Sequence, residues 1–498
     1  MLKSFLTILV ITLFSITKVA GQEEVMLTRS EAQEDLSWLK FSLEYVHPRL
    51  YKYDNKETVD SRLDNIYNTI TDDISGLDFL SLISKFNASV NCGHLYTIPQ
   101  GNLRKEVLQK KVMPFYIKVI GSDLYVFNDC SESRPIPNGS KIVSINGRSS
   151  SEIYTSIISG IATDGLIETR KNRLIERYFF NTFNGFDFYY HLHADRSTTF
   201  EVEYQEYEGK SSKKKNLKGI SMDERKERLL KNYSIDQDIW FHTPSPQFRL
   251  NEDKNYAVLT ISRSFYDDKI DPDYDSLLNK AFEQLKEKDI QNLIIDLRNN
   301  EGGSEHQQME LISYLYDQPF KLYQNIYQSH LDFRPLKPII MERDTSQLLF
   351  NNDDQYMRKL SGNLWVNNYE YSSNLRFQSP KKNAFNGKLY VLMNGASFSS
   401  AADLIADIKK TTDAIFIGEE SGGTFEGPTG GITIAVQLPN SKIMVRISPN
   451  IHIGYMYQKH PIGRGVLPDY EIENTIDDLM EGKDLEIEKA LELILNDK

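Results

Sequence analysis

Residues 387–424, GKLYVLMNGASFSSAADLIADIKKTTDAIFIGEESGGT, constrain the fold more than any other part of the chain. Leu389 to Met393 form a continuous apolar run of the buried-strand type, and Asn394 and Gly395 follow as a tight turn. Ser397, Ser399 and Ser400 come next, then a helical pattern over about residues 401–410 and a second apolar strand over residues 414–417. A serine at such a strand-to-helix turn can point its hydroxyl out of the sheet edge. The first helical N–H groups, unpaired and partly positive, face the same spot. That placement suits an acyl-transfer nucleophile, although serines also cap helices and the stretch alone allows both readings.

A second unit of the same kind lies about a hundred residues upstream. Residues 292–303, NLIIDLRNNEGG, run from a buried-type strand into an Asp-Leu-Arg turn and a glycine pair. Two strand-then-turn units can bring a nucleophile and a set of backbone N–H donors to one sheet edge. Around them strands alternate with helices: a strand at 257–261, an amphipathic helix at 274–286, a strand at 293–296 and a helix at 307–316. This alternation implies an α/β layered domain with largely parallel strands. Residues 319–382 are irregular and carry no motif; 432–438 and 442–447 read as a hairpin around Pro439-Asn440-Ser441, and a helix at about 485–495 ends the chain.

In that order, DLRNNEGG, NGASFSSAADLIADIKK, IGEESGG and the late GRGVLPD resemble the motifs of the tail-specific or C-terminal-processing serine peptidases and their tricorn-core relatives. The resemblance covers residues from about 113 to the C-terminus. It implies a ClpP/crotonase-like αβ catalytic core with a PDZ-like β-rich domain, a hydrolase acting on polypeptides, and an acyl-enzyme on Ser399, the middle serine of the family pattern, with Ser397 as runner-up. Relatives of the tricorn type place their catalytic histidine in a turn like residues 88–99, ASVNCGHLYTIP, where the matching position is His94; the serine common just before it is replaced by Gly93. Many processing peptidases use a lysine from a Gly-Lys-Gly turn, but the equivalent Ser421-Gly422-Gly423-Thr424 has none, which favours a His-using site. The backbone N–H groups of Gly302, Gly303 and Ser400 are the expected oxyanion donors. Glu419, Glu420 and Asp469 are candidates to orient His94, and Lys409 and Lys442 are the lysines nearest the motifs. A catalytically inactive ligand- or peptide-binding protein on the same fold is the alternative. No Gly-x-Ser-x-Gly elbow occurs, so an α/β-hydrolase is not supported.

The remaining sequence organises around this core. Residues 1–21 have an early lysine, an apolar run and small residues before Gln22, the pattern of a signal peptide, so the expected location is periplasmic or extracellular. Helical patterns at 36–46, 57–71 and 77–86, the first with Ser30 and Gln33 as its capping pair, give a helical N-terminal domain over 22–104. Residues 105–205 turn to short strands, with GSKIVSING at 139–147 as the PDZ-like core and Asn146-Gly147 as a hairpin turn; a PDZ module binds peptides by adding them as a strand, whereas a plain β-rich unit would only pack. Residues 206–246 read as a charged linker or insertion, and 247–498 as the catalytic domain. The formal charge of −12 argues against a nucleic-acid partner. No second long apolar run follows the leader, so no membrane span is expected after its removal, and no metal set or phosphate loop, hence no cofactor, is indicated. The two cysteines, Cys92 and Cys130, fit a disulfide or two buried thiols equally well.

Overall fold

The computed structural model describes residues 24–179, 183–341 and 355–496; the leader expected over 1–21 lies outside them. Its centre is a six-stranded sheet in the order Gln247–Asn251, Tyr256–Thr260, Asn292–Asp296, Lys388–Met393, Ile415–Gly418, Tyr470–Glu471. The first pair is antiparallel and all later pairs are parallel. The apolar runs follow from burial on both faces. Leu389, Val391 and Met393 pack on helices Tyr274–Glu287, Glu305–Leu315 and Ser400–Thr411, while Tyr390 and Leu392 meet Ala490 and Ile494 of helix Leu485–Asn496. Part of the stretch without a motif forms a further sheet in which strand Tyr323–Gln328 lies between Leu364–Asn367 and Asn450–Gly454.

A second, antiparallel sheet occupies the middle of the chain in the order Ser212–Lys218, Thr199–Gln205, Ser140–Ile145, Asp123–Phe127, Tyr116–Ile120. Asn146 and Gly147, both at positive φ (50° and 77°), turn Ser140–Ile145 back onto Arg148–Ser149, as their sequence requires. The charged segment expected as a linker or insertion is folded. Ser212–Lys218 is the edge strand of this sheet, and helix Met222–Tyr233 docks through Arg225, which is buried against Asp187.

The N-terminal helices Arg29–Val46, Lys56–Thr69 and Gly76–Ala88 do not close a core of their own. Leu36, Leu39, Leu43 and Phe79 share one cluster with Val436, Leu438, Val445 and Ile447 from the far end of the chain. The first helix is capped by Thr28 with Glu31, two residues before the expected Ser30 and Gln33, and helix Gly101–Gln109 runs across the boundary expected at 104. Strand Tyr96–Ile98 pairs antiparallel with Met444–Ile447, so the turn just before it is carried to the C-terminal edge of the central sheet.

Candidate active site

Two loops at that edge are stitched together by their own amides. The Phe398 N–H donates to Asn300 O (2.9 Å), and the Asn299 N–H donates to Asn394 Oδ1 (3.0 Å). Gly302 fits between them only without a side chain, because a β-carbon there would stand 2.6 Å from Phe398 O and 2.8 Å from Ser399 Cβ. Within the serine cluster the three hydroxyls part company. Ser397 is fully buried and its Oγ donates to Leu297 O (2.8 Å), which removes the runner-up. Ser400 Oγ accepts from the Gly303 N–H (2.7 Å). Ser399, half-buried, makes no capping bond to its helix and lies 3.1 Å from His94 Nε2.

Ser399 occupies φ 55°, ψ −130°, a conformation that costs a non-glycine residue of order 1–3 kcal/mol and clusters at functional sites. The turn is therefore a strained elbow without the Gly-x-Ser-x-Gly signature that would have announced it in the sequence. His94 is only 6% exposed. One face of its ring stacks on Phe398 at a centroid distance of 4.5 Å, and on the other side a β-carbon at Gly430 would come within 3.0 Å of Cε1. Gly93 replaces the serine of related motifs for a steric reason: a β-carbon there would fall 2.8 Å from the Phe398 ring, and its N–H donates to Asp164 Oδ1 (2.6 Å). Burial, and then the Arg170 charge, pull the His94 pKa down to about 3, so the ring is neutral at physiological pH.

None of the three expected orienting acids reaches His94. Glu419 is held by Arg173 (2.5 and 2.9 Å), Glu420 by Arg464 (2.7 and 2.8 Å), and Asp469 by Lys409 (2.9 Å) and the Phe416 N–H (2.9 Å). Each carboxylate has its own cation at the sheet edge, and His94 Nδ1 is buried without a hydrogen-bond partner among the described residues. Lys409 is thereby engaged, and the Lys442 ammonium donates to Pro439 O (2.6 Å). The expected oxyanion donors divide. The Gly302 N–H donates to Asn300 Oδ1 (2.9 Å) and the Gly303 N–H to Ser400 Oγ, so an oxyanion would have to displace those acceptors. The Ser400 N–H is the first of its helix and has no intrahelical acceptor. Cys92 and Cys130 are both free and buried, and burial pushes the Cys92 thiol far up, which leaves it protonated and unreactive.

What the sequence did not reveal is a cationic neighbour from the middle of the chain. The Arg170 guanidinium lies 3.5 Å from the Phe398 ring centroid and pairs with Glu301 (3.0 Å), the residue just before Gly302; Arg177 meets the same carboxylate at 2.5 Å. Nothing in a lone Arg170 signals such a contact; only the acid inside NNEGG hints that a cation approaches the loop. Beside His94 opens a cavity of about 420 Å³, walled by Tyr96, Leu174, Phe265, Glu301 and Arg446 among others. Among the described residues no cluster of side chains could hold a metal ion, and no helix is long and apolar enough to cross a membrane.

Residues 255–472 match the model of peptidase family S41. The crystal structure of mature CPAF superposes with a TM-score of 0.63 at 15% identity, covering 94% of this chain and 98% of that one. Mature CPAF complexed with lactacystin gives 0.62 at 14%, covering 94% and 99%. The photosystem II D1 C-terminal processing protease aligns over 89% of this chain and 93% of that one at 14% identity, with a TM-score of 0.36. A comparison with curated proteins finds no match.

Proposed function

We propose, from the premise that residues 255–472 belong to peptidase family S41 and make this chain a serine-type peptidase, that Ser399 is its nucleophile and His94 its general base in the hydrolysis of polypeptides. The observation that carries this reading is the 3.1 Å approach of His94 Nε2 to Ser399 Oγ, between residues 305 positions apart in sequence, with the ring neutral and able to accept a proton. As Ser399 Oγ attacks the scissile carbonyl, its proton passes to His94 Nε2 and then to the leaving amine. Water, deprotonated by the same ring, hydrolyses the acyl-enzyme. The Ser400 N–H, joined by Gly302 or Gly303 once they release their present acceptors, holds the oxyanion, and each such donor is worth about 3 kcal/mol in the transition state.

The substrates we propose are the C-terminal tails of polypeptides met outside the cytoplasm. Export rests on the leader pattern of residues 1–21. The tail preference is supported by Arg446 in the wall of the cavity beside His94: its guanidinium, bonded to the Thr433 hydroxyl (2.7 and 3.2 Å), is a cation that a free carboxylate would meet. A peptide with a free C-terminus should then be cleaved faster than its C-terminal amide; equal rates would remove the tail preference. A fluorophosphonate probe tests the site itself. Wild type should be labelled at Ser399, and Ser399→Ala should fold, escape labelling and lose on the order of a thousandfold or more of its hydrolysis. A folded wild type that neither labels nor cleaves would be the non-catalytic binding protein instead.

A further inference from the structure

Helix Thr169–Glu176 belongs to the middle of the chain, outside the catalytic motifs, yet three arginines at helical spacing in and just after it grip the site loops. Arg170 and Arg177 take Glu301, and Arg173 takes Glu419, whose Oε2 also accepts the Gly395 N–H (3.2 Å) at the start of the nucleophile turn. Arg170 is the deepest, 1% exposed, with its plane on the Phe398 ring that supports His94. An arginine buried to this degree needs its carboxylate. Removing Glu301 strands the Arg170 charge, whereas Glu301 without Arg170 would still hold Arg177.

We propose that Arg170 is a positioning residue of the catalytic site: stacked on Phe398, which carries the His94 ring, and paired with Glu301, which abuts Gly302, it fixes base and oxyanion loop relative to one another. The proposal rests on the assignment of Ser399 and His94 above. It explains how His94 keeps its place although no acid bonds its Nδ1: the ring lies between Phe398 and Gly430, and Phe398 is backed by a cation that cannot leave Glu301 at low cost. The groups that act on the His94 charge are Arg170 and Arg446, which oppose protonation, Glu301, which favours it, and His452. For Glu301, burial pushes the carboxyl up, but Arg170 and then Arg177 outweigh it and hold it ionised.

The test uses the full chain, the rate of phosphonylation by a fluorophosphonate, and the titration of the His94 ring followed by NMR. Arg170→Met should slow labelling on the order of a hundredfold through misplacement of the reacting groups, and the His94 titration should move up in pH. Arg170→Lys keeps the charge but not the planar fork, so the titration should stay near its wild-type position while the rate recovers only in part. Glu301→Gln should also slow labelling, with His94 titrating at or below its wild-type position. A general loosening of the fold would move His94 upward in both Arg170→Met and Glu301→Gln, and that result overturns the proposal. So does an Arg170→Met variant that labels at the wild-type rate with His94 titrating in place. Should wild type fail to label, the Ser399 assignment falls, while the ring titrations still decide whether Arg170 governs His94.

Discussion

An imidazole held between Phe398 and Gly430 has little water to stabilise a positive charge, and Arg170 and Arg446 oppose that charge further. The sign of the consequence is fixed: lowering the pKa of a base extends its neutral, active form toward acid. The kcat/KM limb that reports free His94 should therefore lie far below the ordinary imidazole value of about 6.5, approaching pH 3. His94→Ala should lose both the limb and most of the rate; a limb near 6.5 in wild type, or one that survives in His94→Ala, would assign the base elsewhere. At this scale the sequence was informative where a residue's placement travels with a short motif: the turns that carry Ser399, His94 and the glycine pair meet at one sheet edge. It was silent on the φ of 55° at Ser399 and misleading on Glu419, Glu420 and Asp469. A carboxylate's partner is set by whichever cation the fold brings alongside, and Arg173, Arg464 and Lys409 come from 246, 44 and 60 positions away.

Among the elements, the charged segment shows how composition can mislead. SKKKNLK at Ser212–Lys218 buries only Leu217, which suggests a solvated linker. Its lysines, however, face a strand that alternates glutamates with Phe200, Val202 and Tyr204, and Lys214 pairs with Glu201 (3.1 Å) across the ladder. Lysines on an edge strand also discourage pairing with another chain, so high charge is compatible with a sheet position. The helix after it is fastened by Arg225, whose guanidinium donates to Met113 O (2.9 Å), Phe115 O (3.1 Å) and the Asp187 carboxylate. Arg225→Ala leaves Asp187 buried without its cation and should destabilise the protein by about 3–5 kcal/mol. Urea unfolding would show this as a lower midpoint; a shift worth under about 0.5 kcal/mol, the usual range for surface substitutions, would mean that the helix is a loose appendage after all.

For the molecule as a whole, the question is whether the N-terminal helices are a separate support or part of the catalytic body. The Asp35 carboxylate accepts the Asn440 and Ser441 N–H groups (3.0 and 2.8 Å) at the tip of the C-terminal hairpin, and the Tyr45 hydroxyl donates to Asp332 O (2.6 Å). Leu36, Leu39 and Leu43 pack in one cluster with Leu438, Val445 and Ile447, and the strand that follows His94 completes the hairpin's sheet. Helical periodicity shows which face of such a helix is apolar but not which surface 400 residues away will cover it, which is why the sequence suggested an independent domain. A shared core unfolds together: the N-terminal helices and the hairpin should melt in one calorimetric transition. Leu438, fully buried at their junction, makes the test sharp, since Leu438→Ala should cost about 2–5 kcal/mol. It should lower that single transition and weaken hydrolysis in parallel, because the same packing delivers His94 to Ser399. An N-terminal transition that melts separately and is untouched by Leu438→Ala would show that the helices stand alone and that His94 reaches the serine through strand Tyr96–Ile98 by itself.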